Sequence, residues 1–380
     1  EEVDCALALF HELVVQVDLA PRHHGLHPRL HGLDLSSHGA EQKLVDTQDS
    51  KSYLGPEGDT GFVDALKPYI FGKDAAMGGR LEGMQTPGGT GAVRLAVALS
   101  KAAGVQRVYL GTPSWPNHIP IITDVGLEAP TFSHAKADGS ADADALLEII
   151  RAGREGDAVL IHACCHNPTG VDPSPAAWQQ IADIVAERRL LPLVDFAYQG
   201  LGDGLREDAA GLAALCRTGC ELLIASSFSK NFGLYKERIG ALTLVGGDRS
   251  AATKALSHLK IAVRTSYSNP PAHGSAIVSE ILADEMLTAR WQDEVAQMRA
   301  RINGMRRAMV EKLQAKGVKR DFSFIEEQRG MFSFSGLDAE QVETLREKYA
   351  IFIVSGGRIN VAGLTNANLD YFCESVAAVL

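Results

Sequence analysis

The chain has 380 residues, enough to bury a large core and to form more than one domain. Its 46% hydrophobic and 22% charged content is that of a globular protein, and no apolar run nears the roughly 18 residues that span a bilayer, so no membrane segment is expected. The formal net charge of -10 argues against non-specific nucleic-acid binding, which needs a basic surface to displace counterions from phosphates.

In chain order, Glu1-Glu2-Val3-Asp4-Cys5 lacks the basic start and apolar core of a secretory signal. Six cysteines, two of them adjacent at Cys164 and Cys165, suit reduced thiols better than a disulfide framework, and a cytoplasmic location is expected. A histidine-rich stretch (His11, His23, His24, His27, His31 and His38) has no regular ligand spacing, so no metal is assigned to it.

From about residue 90 onward, β-branched apolar segments alternate with helical patterns. That alternation predicts an α/β fold with a mostly parallel sheet covered by helices. Val108-Tyr109-Leu110, Val159-Leu160-Ile161, Leu193-Val194 and Leu222-Leu223-Ile224 read as buried strands. Ser174-Pro175 reads as an N-cap followed by proline at the first helical position, with Trp178, Ile181, Ile184 and Val185 at helical spacing. Further on, Trp291, Val295, Met298, Ile302, Met305, Met309 and Leu313 form one stripe, predicting a long helix that ends at Gly317 and packs between two domains. Residues 320–380 read as a mixture of strands and helices.

The motifs fall at the ends of these strands. Ser227-Phe228-Ser229-Lys230, with Arg238 beyond it, would place a lysine at the carboxyl end of a parallel strand beside groups able to hold a phosphate. That combination points to Schiff-base chemistry with a phosphorylated aldehyde; a solvated surface lysine is the plain alternative. The same residues spell Ser227-x-x-Lys230, but the companion motifs of a serine acyl-enzyme are missing.

Asp195 and Tyr198 close another strand, where a carboxylate could keep a pyridine nitrogen protonated; a capping Asp and a core Tyr stand against that reading. Gln85-Thr86-Pro87-Gly88-Gly89-Thr90-Gly91-Ala92 reads as the start of a helix whose amides suit a phosphate, without the marks of a nucleotide site. Trp115, within Ser114-Trp115-Pro116-Asn117-His118, offers a flat face, and Asn167 a neutral donor. His162, Cys164, Cys165 and His166, read as strand residues, alternate faces, and no metal is assigned to them.

Together these motifs resemble class I aminotransferases of the aspartate/aromatic group, within fold type I of the pyridoxal-phosphate enzymes. The resemblance runs from Ser52-Tyr53-Leu54-Gly55 to the C-terminus, through His-Asn-Pro-Thr-Gly at 166–170, Tyr-Ser-Asn-Pro-Pro-Ala-His-Gly at 267–274 and Gly-Arg-Ile-Asn-Val-Ala-Gly at 357–363. It implies a pyridoxal 5'-phosphate cofactor linked to Lys230, which also shuttles the proton. Asp195 would pair the ring nitrogen with His118 behind it, Tyr198 and Asn167 would bind the ring oxygen, and Trp115 would stack on the ring. Gly89, Thr90, Ser227, Ser229 and Arg238 would hold the phosphate, with Tyr53 reaching in from a partner subunit.

Arg358 would clamp the substrate α-carboxylate, with Trp115 and Asn167 nearby. Arg264, with Ser268 beside it, would read a distal carboxylate across a homodimer interface. Without the other motifs, Arg264 and Arg358 would read as surface ion-pair partners. The implied reaction is ping-pong transamination between an amino acid (aspartate, glutamate or aromatic) and a 2-oxo acid such as 2-oxoglutarate. Thr90 and Asn269 resemble the aspartate branch, Ser52 neither, and both branches stay open.

The expected domains are 1–35, an N-terminal segment of the small domain, then 36–297, a large cofactor-binding domain, and 298–380, a small C-terminal domain. The first of these departs from the family. Val17-Asp18-Leu19 is followed by Ala20-Pro21-Arg22-His23-His24, where relatives carry a glycine-rich stretch over the substrate. That departure keeps two other readings open: a cofactor-binding protein with weak activity and a regulatory role, or a decarboxylase or β-lyase on the same fold.

Overall fold

The computed structural model describes residues 36–72, 78–136, 139–354 and 356–380. The atypical segment 1–35 lies outside the described residues. Two helices, α1 (Ser36–Thr47) and α2 (Thr60–Phe71), lead into strand β1 (Leu81–Pro87) and helix α3 (Gly88–Ala102). There follow β2 (Val108–Thr112), α4 (His118–Asp124), β3 (Thr131–Ser133), α5 (Ala143–Ala152), β4 (Ala158–His162), α6 (Pro175–Arg188), β5 (Leu191–Phe196), α7 (Ala210–Arg217), β6 (Leu222–Ser227) and β7 (Ile239–Val245).

These strands make one seven-stranded sheet in the order β1-β7-β6-β5-β4-β2-β3. The pairs from β6 through β5, β4 and β2 to β3 are parallel, and only β7 runs against its neighbours. The α/β architecture with a mostly parallel sheet is therefore as expected, and all four expected strands are present.

Two corrections concern what flanks them. Gln85, Thr86 and Pro87 do not open a helix; they end β1, and α3 begins at Gly88. Gln85 and Thr86 are fully buried, and their polarity hides a strand because each is satisfied. Gln85 Nε2 donates to the Pro271 carbonyl at 2.7 Å, and Thr86 Oγ1 to the Gly88 carbonyl at 2.9 Å. The second correction is that β4 ends at His162. Ala163–His166 is not strand, and Cys165 adopts φ 53°, so face alternation does not apply there.

Local signals explain the covering helices. In α6, Ser174 Oγ accepts from the Ala177 amide at 3.2 Å, Pro175 sets the first turn, and Trp178, Ile181 and Val185 are buried. Beyond the sheet run α8 (Arg249–Ser266), α9 (Ala272–Ala283) and α10 (Glu285–Ala315), then β8 (Phe332–Phe334), α11 (Ala339–Tyr349), β9 (Arg358–Asn360) and α12 (Leu369–Val379).

The long helix α10 is the one expected from the methionine-containing stripe. Its first half enters the sheet core through Trp291, Val295 and Met298. Its second half enters a separate cluster through Ile302, Met309 and Leu313, packed with Ile325, Leu345, Ile359 and Phe372. Trp291 stacks on Phe232 with ring centroids 4.3 Å apart and donates Nε1 to the Asn231 carbonyl at 2.9 Å. The helix thereby grips the segment that follows Lys230.

Candidate active site

The carboxyl ends of β2, β4, β5 and β6 open on one rim, where parallel sheets gather ligand-binding loops. Lys230 lies three residues past the end of β6. It is not a solvated surface lysine, for its Nζ sits 4.6 Å from the centroid of the Tyr198 ring. Burial pulls its amine below the ordinary lysine value; the Asp195 carboxylate opposes that shift and Arg238 adds to it.

From Tyr198 a continuous set of contacts crosses the rim. Asn167 Nδ2 donates to Tyr198 Oη at 3.2 Å, and Arg358 Nη1 donates to Asn167 Oδ1 at 3.2 Å. Burial, with Asp195 next, raises the Tyr198 phenol, which stays protonated and able to donate. Arg358 is 6% exposed, and its guanidinium lies 4.9 Å from the Phe332 ring centroid. It is no surface ion-pair residue.

Asp195, on β5, is buried and lies beside His118 Nε2 at 3.0 Å. Ser114 Oγ lies 2.8 Å from His118 Nδ1. With Ser114 donating to Nδ1, Nε2 carries the proton and donates to the carboxylate, a tautomer assigned from the network. Burial is the largest influence and by itself would raise the Asp195 carboxyl, but the His118 hydrogen bond and the electrostatic influence of His162, His118 and Lys230 together outweigh it and hold the group below its ordinary value. Trp115 meets His118 edge to face at 5.1 Å.

On the far side of β6, Gly88 has φ 74°, and a Cβ there would lie 2.4 Å from Arg238 Nη2. A Cβ on Gly89 would lie 2.9 Å from the Ser227 Cβ. The absence of both side chains leaves room for the Arg238 guanidinium against Gly88 and for Ser227 against Gly89, which sets both beside the first amides of α3, a donor set suited to a phosphate. Ser229 is buried nearby in sequence, whereas Thr90 is exposed on the first turn of α3.

The other expected residues lie apart. Tyr53 is 94% exposed; Arg264 and Ser268 are exposed and bonded to each other, Nη1 to Oγ, at 2.8 Å. Among the described residues, none of the three hydrogen-bonds to the Lys230 group.

Three residues join the site without having been assigned a role from sequence. Ser114 appears in a quoted motif, but its partner is set by the turn into α4. His162, considered only as a metal ligand, brings Nε2 to 3.9 Å from Asp195 Oδ2. Phe332 carries no local signal; only pairing of β8 with β9 puts it against Arg358.

Burial drives the His162 imidazole down to about 3 and that of His134, whose ring stacks 3.3 Å from His166, down to about 4. Both are neutral in the fold, while in the unfolded chain each takes up a proton below its ordinary 6.5. Between 6.5 and those folded values the unfolded state binds more protons, so stability falls with falling pH, by about 1.4 kcal/mol per pH unit for each histidine. Thermal melts between about pH 7 and about pH 5 are expected to drop steadily, and His134→Phe to flatten the slope. An unchanged slope in that variant would contradict the assignment of His134.

The family model described as "Aminotransferase class I and II" matches residues 34–376. The chain is 48% identical over 345 residues to an aspartate aminotransferase of Escherichia coli, covering 90% of this chain and 87% of that protein. It is 42% identical over 343 residues to an aromatic-amino-acid aminotransferase of Pseudomonas aeruginosa, covering 90% and 86%. Among solved structures, an aromatic-amino-acid aminotransferase of Burkholderia pseudomallei, covalently bound to pyridoxal phosphate, superposes with a TM-score of 0.89 at 40% identity, covering 91% of this chain and 88% of that one. With these matches spanning nearly all of the described chain and the rim built as above, the protein belongs to the class I and II aminotransferase family.

Proposed function

We propose that Lys230 is the catalytic base of a pyridoxal-phosphate-dependent transamination between an L-amino acid, aspartate, glutamate or aromatic, and a 2-oxo acid such as 2-oxoglutarate. The observation that carries this reading is the unbroken run Lys230–Tyr198–Asn167–Arg358, with Asp195 on the same rim. The chain's donors fit the cofactor. A guanidinium and a hydroxyl lie beside helix N-terminal amides, a donor set that would suit a phosphate, and the buried Asp195 carboxylate would suit a protonated ring nitrogen. Relatives named as aminotransferases at 40–48% identity leave no support for the decarboxylase, β-lyase or regulatory alternatives.

When bound, the cofactor supplies an electron sink for the bond broken at the substrate α-carbon. Gly89, Thr90, Ser227, Ser229 and Arg238 would hold the phosphate. Asp195, which His118 helps keep ionised, would hold a proton on the ring nitrogen. Tyr198 and Asn167 would donate to the ring oxygen, and Trp115 would cover the ring. Arg358 grips the substrate α-carboxylate through a fixed pair of donors. Lys230, its amine made easier to deprotonate by burial, would take the proton from the substrate α-carbon and hold it for return to the cofactor's C4′ position.

The site is completed across a homodimer in this reading. Ile261 is 64% exposed, three residues before the exposed Arg264 and so on the same face of α8, and Tyr53 projects from the chain. A partner's copies of Tyr53, Arg264 and Ser268 would then reach the phosphate and a distal carboxylate. Sedimentation is expected to give a dimer at assay concentrations.

The switch of α10 from one apolar cluster to the other, between Met298 and Ile302, supports division into a large unit and a small one close to the proposed bounds 36–297 and 298–380, with Met298 still in the sheet core. Among the described residues, Cys164, Cys165, Cys216, Cys220 and Cys373 are free thiols, which supports a reducing cytoplasm, and no helix is long and apolar enough to cross a membrane.

Initial rates over a grid of aspartate and 2-oxoglutarate concentrations test the reaction. Parallel double-reciprocal lines are expected, and intersecting lines would contradict a ping-pong scheme. Arg264→Ala is expected to lower kcat/KM for aspartate by about 100-fold and to leave phenylalanine within a few-fold. Equal losses for both donors would remove Arg264 from the distal-carboxylate role.

A further inference from the structure

Arg306 lies in the second half of α10 with 1% of its surface exposed, yet among the described residues the acceptors of its hydrogen bonds are all uncharged. Nε donates to Ser333 Oγ at 3.1 Å and Nη1 to Asn303 Oδ1 at 3.0 Å. Nη2 donates to two carbonyls, those of Gly330 and of Phe332, the latter at 3.0 Å. Burial draws the guanidinium down to about 10, so it remains a cation at neutral pH. A buried charge that meets only neutral acceptors among the described residues is a costly way to fill space, and an apolar side chain of similar volume would do so at lower cost.

What the cation secures is the two-stranded ribbon β8–β9. Phe332 pairs with Asn360, Ser333 with Ile359 and Phe334 with Arg358. Side chains alternate along a strand, so the ribbon turns Ser333 toward Arg306 and presents Phe332 and Arg358 on its other face. There the Phe332 ring lies 4.9 Å from the Arg358 guanidinium and meets Tyr198 edge to face at 6.0 Å. The Phe332 carbonyl is enclosed from a second direction as well. A Cβ on Gly170 would lie 2.6 Å from it, and the Gly170 carbonyl accepts from the Arg329 amide at 2.7 Å. The segment 329–332 is thus wedged between α10 and the loop that carries Asn167.

We infer that Arg306 is a positioning residue for substrate binding: by fixing the carbonyls of Gly330 and Phe332 it holds the Phe332 ring, which sets the place of the Arg358 guanidinium. The inference rests on the proposed role of Arg358 as the α-carboxylate clamp. Because every amino acid and oxo acid shares that carboxylate, disturbing Arg306 should weaken all substrates alike.

The test uses cofactor-loaded enzyme in four forms: the natural protein, Arg306→Met, Arg306→Lys and Phe332→Leu. Competitive inhibition by 3-phenylpropanoate and by succinate, which lack the amino group, reports carboxylate binding without turnover. Arg306→Met is expected to raise both inhibition constants, and KM for both substrates, on the order of tenfold. Bound cofactor per chain and kcat should change far less. Arg306→Lys, with donors that cannot span all four acceptors, should fall between, and Phe332→Leu should shift the constants in the same direction.

Unchanged inhibition constants in folded, cofactor-loaded Arg306→Met would overturn the inference, as would a rise confined to succinate. Should that variant not fold, Phe332→Leu with unchanged constants overturns it equally. If the natural enzyme is active and the Arg358→Ala form binds both inhibitors normally, the fault lies instead with the reading of Arg358, and the inference falls with it.

Discussion

Lys230→Ala is expected to lower kcat for every amino donor by at least about 10⁴-fold while the protein still binds the cofactor. The proposed phosphate donors, Asp195, Tyr198 and Asn167 do not depend on the lysine, so equilibrium binding should survive. The proton at the substrate α-carbon, however, would have no base. Among the described residues, Lys230 is the amine placed against Tyr198 and depressed by burial. Tyr198 is held protonated, and Asp195 is engaged by His118. Lys230→Arg tests the same point without removing a cation, since a guanidinium does not give up its proton near neutral pH. Equal activity in either variant would refute the assignment; rapid-quench measurement of a single half-reaction separates loss of chemistry from loss of binding.

Asp195→Asn is expected to cost on the order of 10³-fold in kcat. A carboxylate next to the ring nitrogen holds a proton there, whereas an amide has no charge with which to do so. The His118 contact survives the change, with the Asn oxygen still able to accept from Nε2, so the fold should be nearly unaffected. Asp195→Glu keeps the charge but displaces it by one methylene, and is expected to retain more activity than Asn. If Asn and Glu lost activity equally, geometry rather than charge would be the property that matters at this position.

These two residues were legible in the sequence because each lies at or just past the carboxyl end of a short apolar strand, and such ends converge in a parallel sheet. Asn167 and Ser227 share that property, whereas Arg238 immediately precedes the antiparallel β7. The edges of the sheet were not legible. Strand β1 buries Gln85 and Thr86; the Gln85 side chain finds its partner at Pro271, which the sequence does not place nearby, and Thr86 turns onto the Gly88 carbonyl two residues on. Strand β7 has an apolar run, but no period in Ile239–Val245 tells that it lies antiparallel between β1 and β6.

Roles that need three separated segments were also hidden. His162 acquires meaning only beside Asp195, and Phe332 only when β8 pairs with β9 against Tyr198. Arg306 left a faint mark. It falls four residues after Ile302 and three before Met309, on the face that the apolar stripe buries, and a charge at such a position signals a specific partner set. Tyr53, Arg264 and Ser268 illustrate the opposite case. Their roles were assigned by resemblance, and the described chain leaves all three exposed, away from the Lys230 group.

The most direct measurement of the central claim is the visible absorbance of the cofactor-loaded protein on addition of aspartate, and separately phenylalanine, with no oxo acid present. Conversion of the bound cofactor from its aldehyde-derived band to the band of its amine form, with one oxo acid released per site and reversal by 2-oxoglutarate, is the predicted result. A band that forms with Lys230 but is converted by neither donor would contradict transamination by this site, and absence of any lysine-dependent band would contradict the assignment of Lys230 itself.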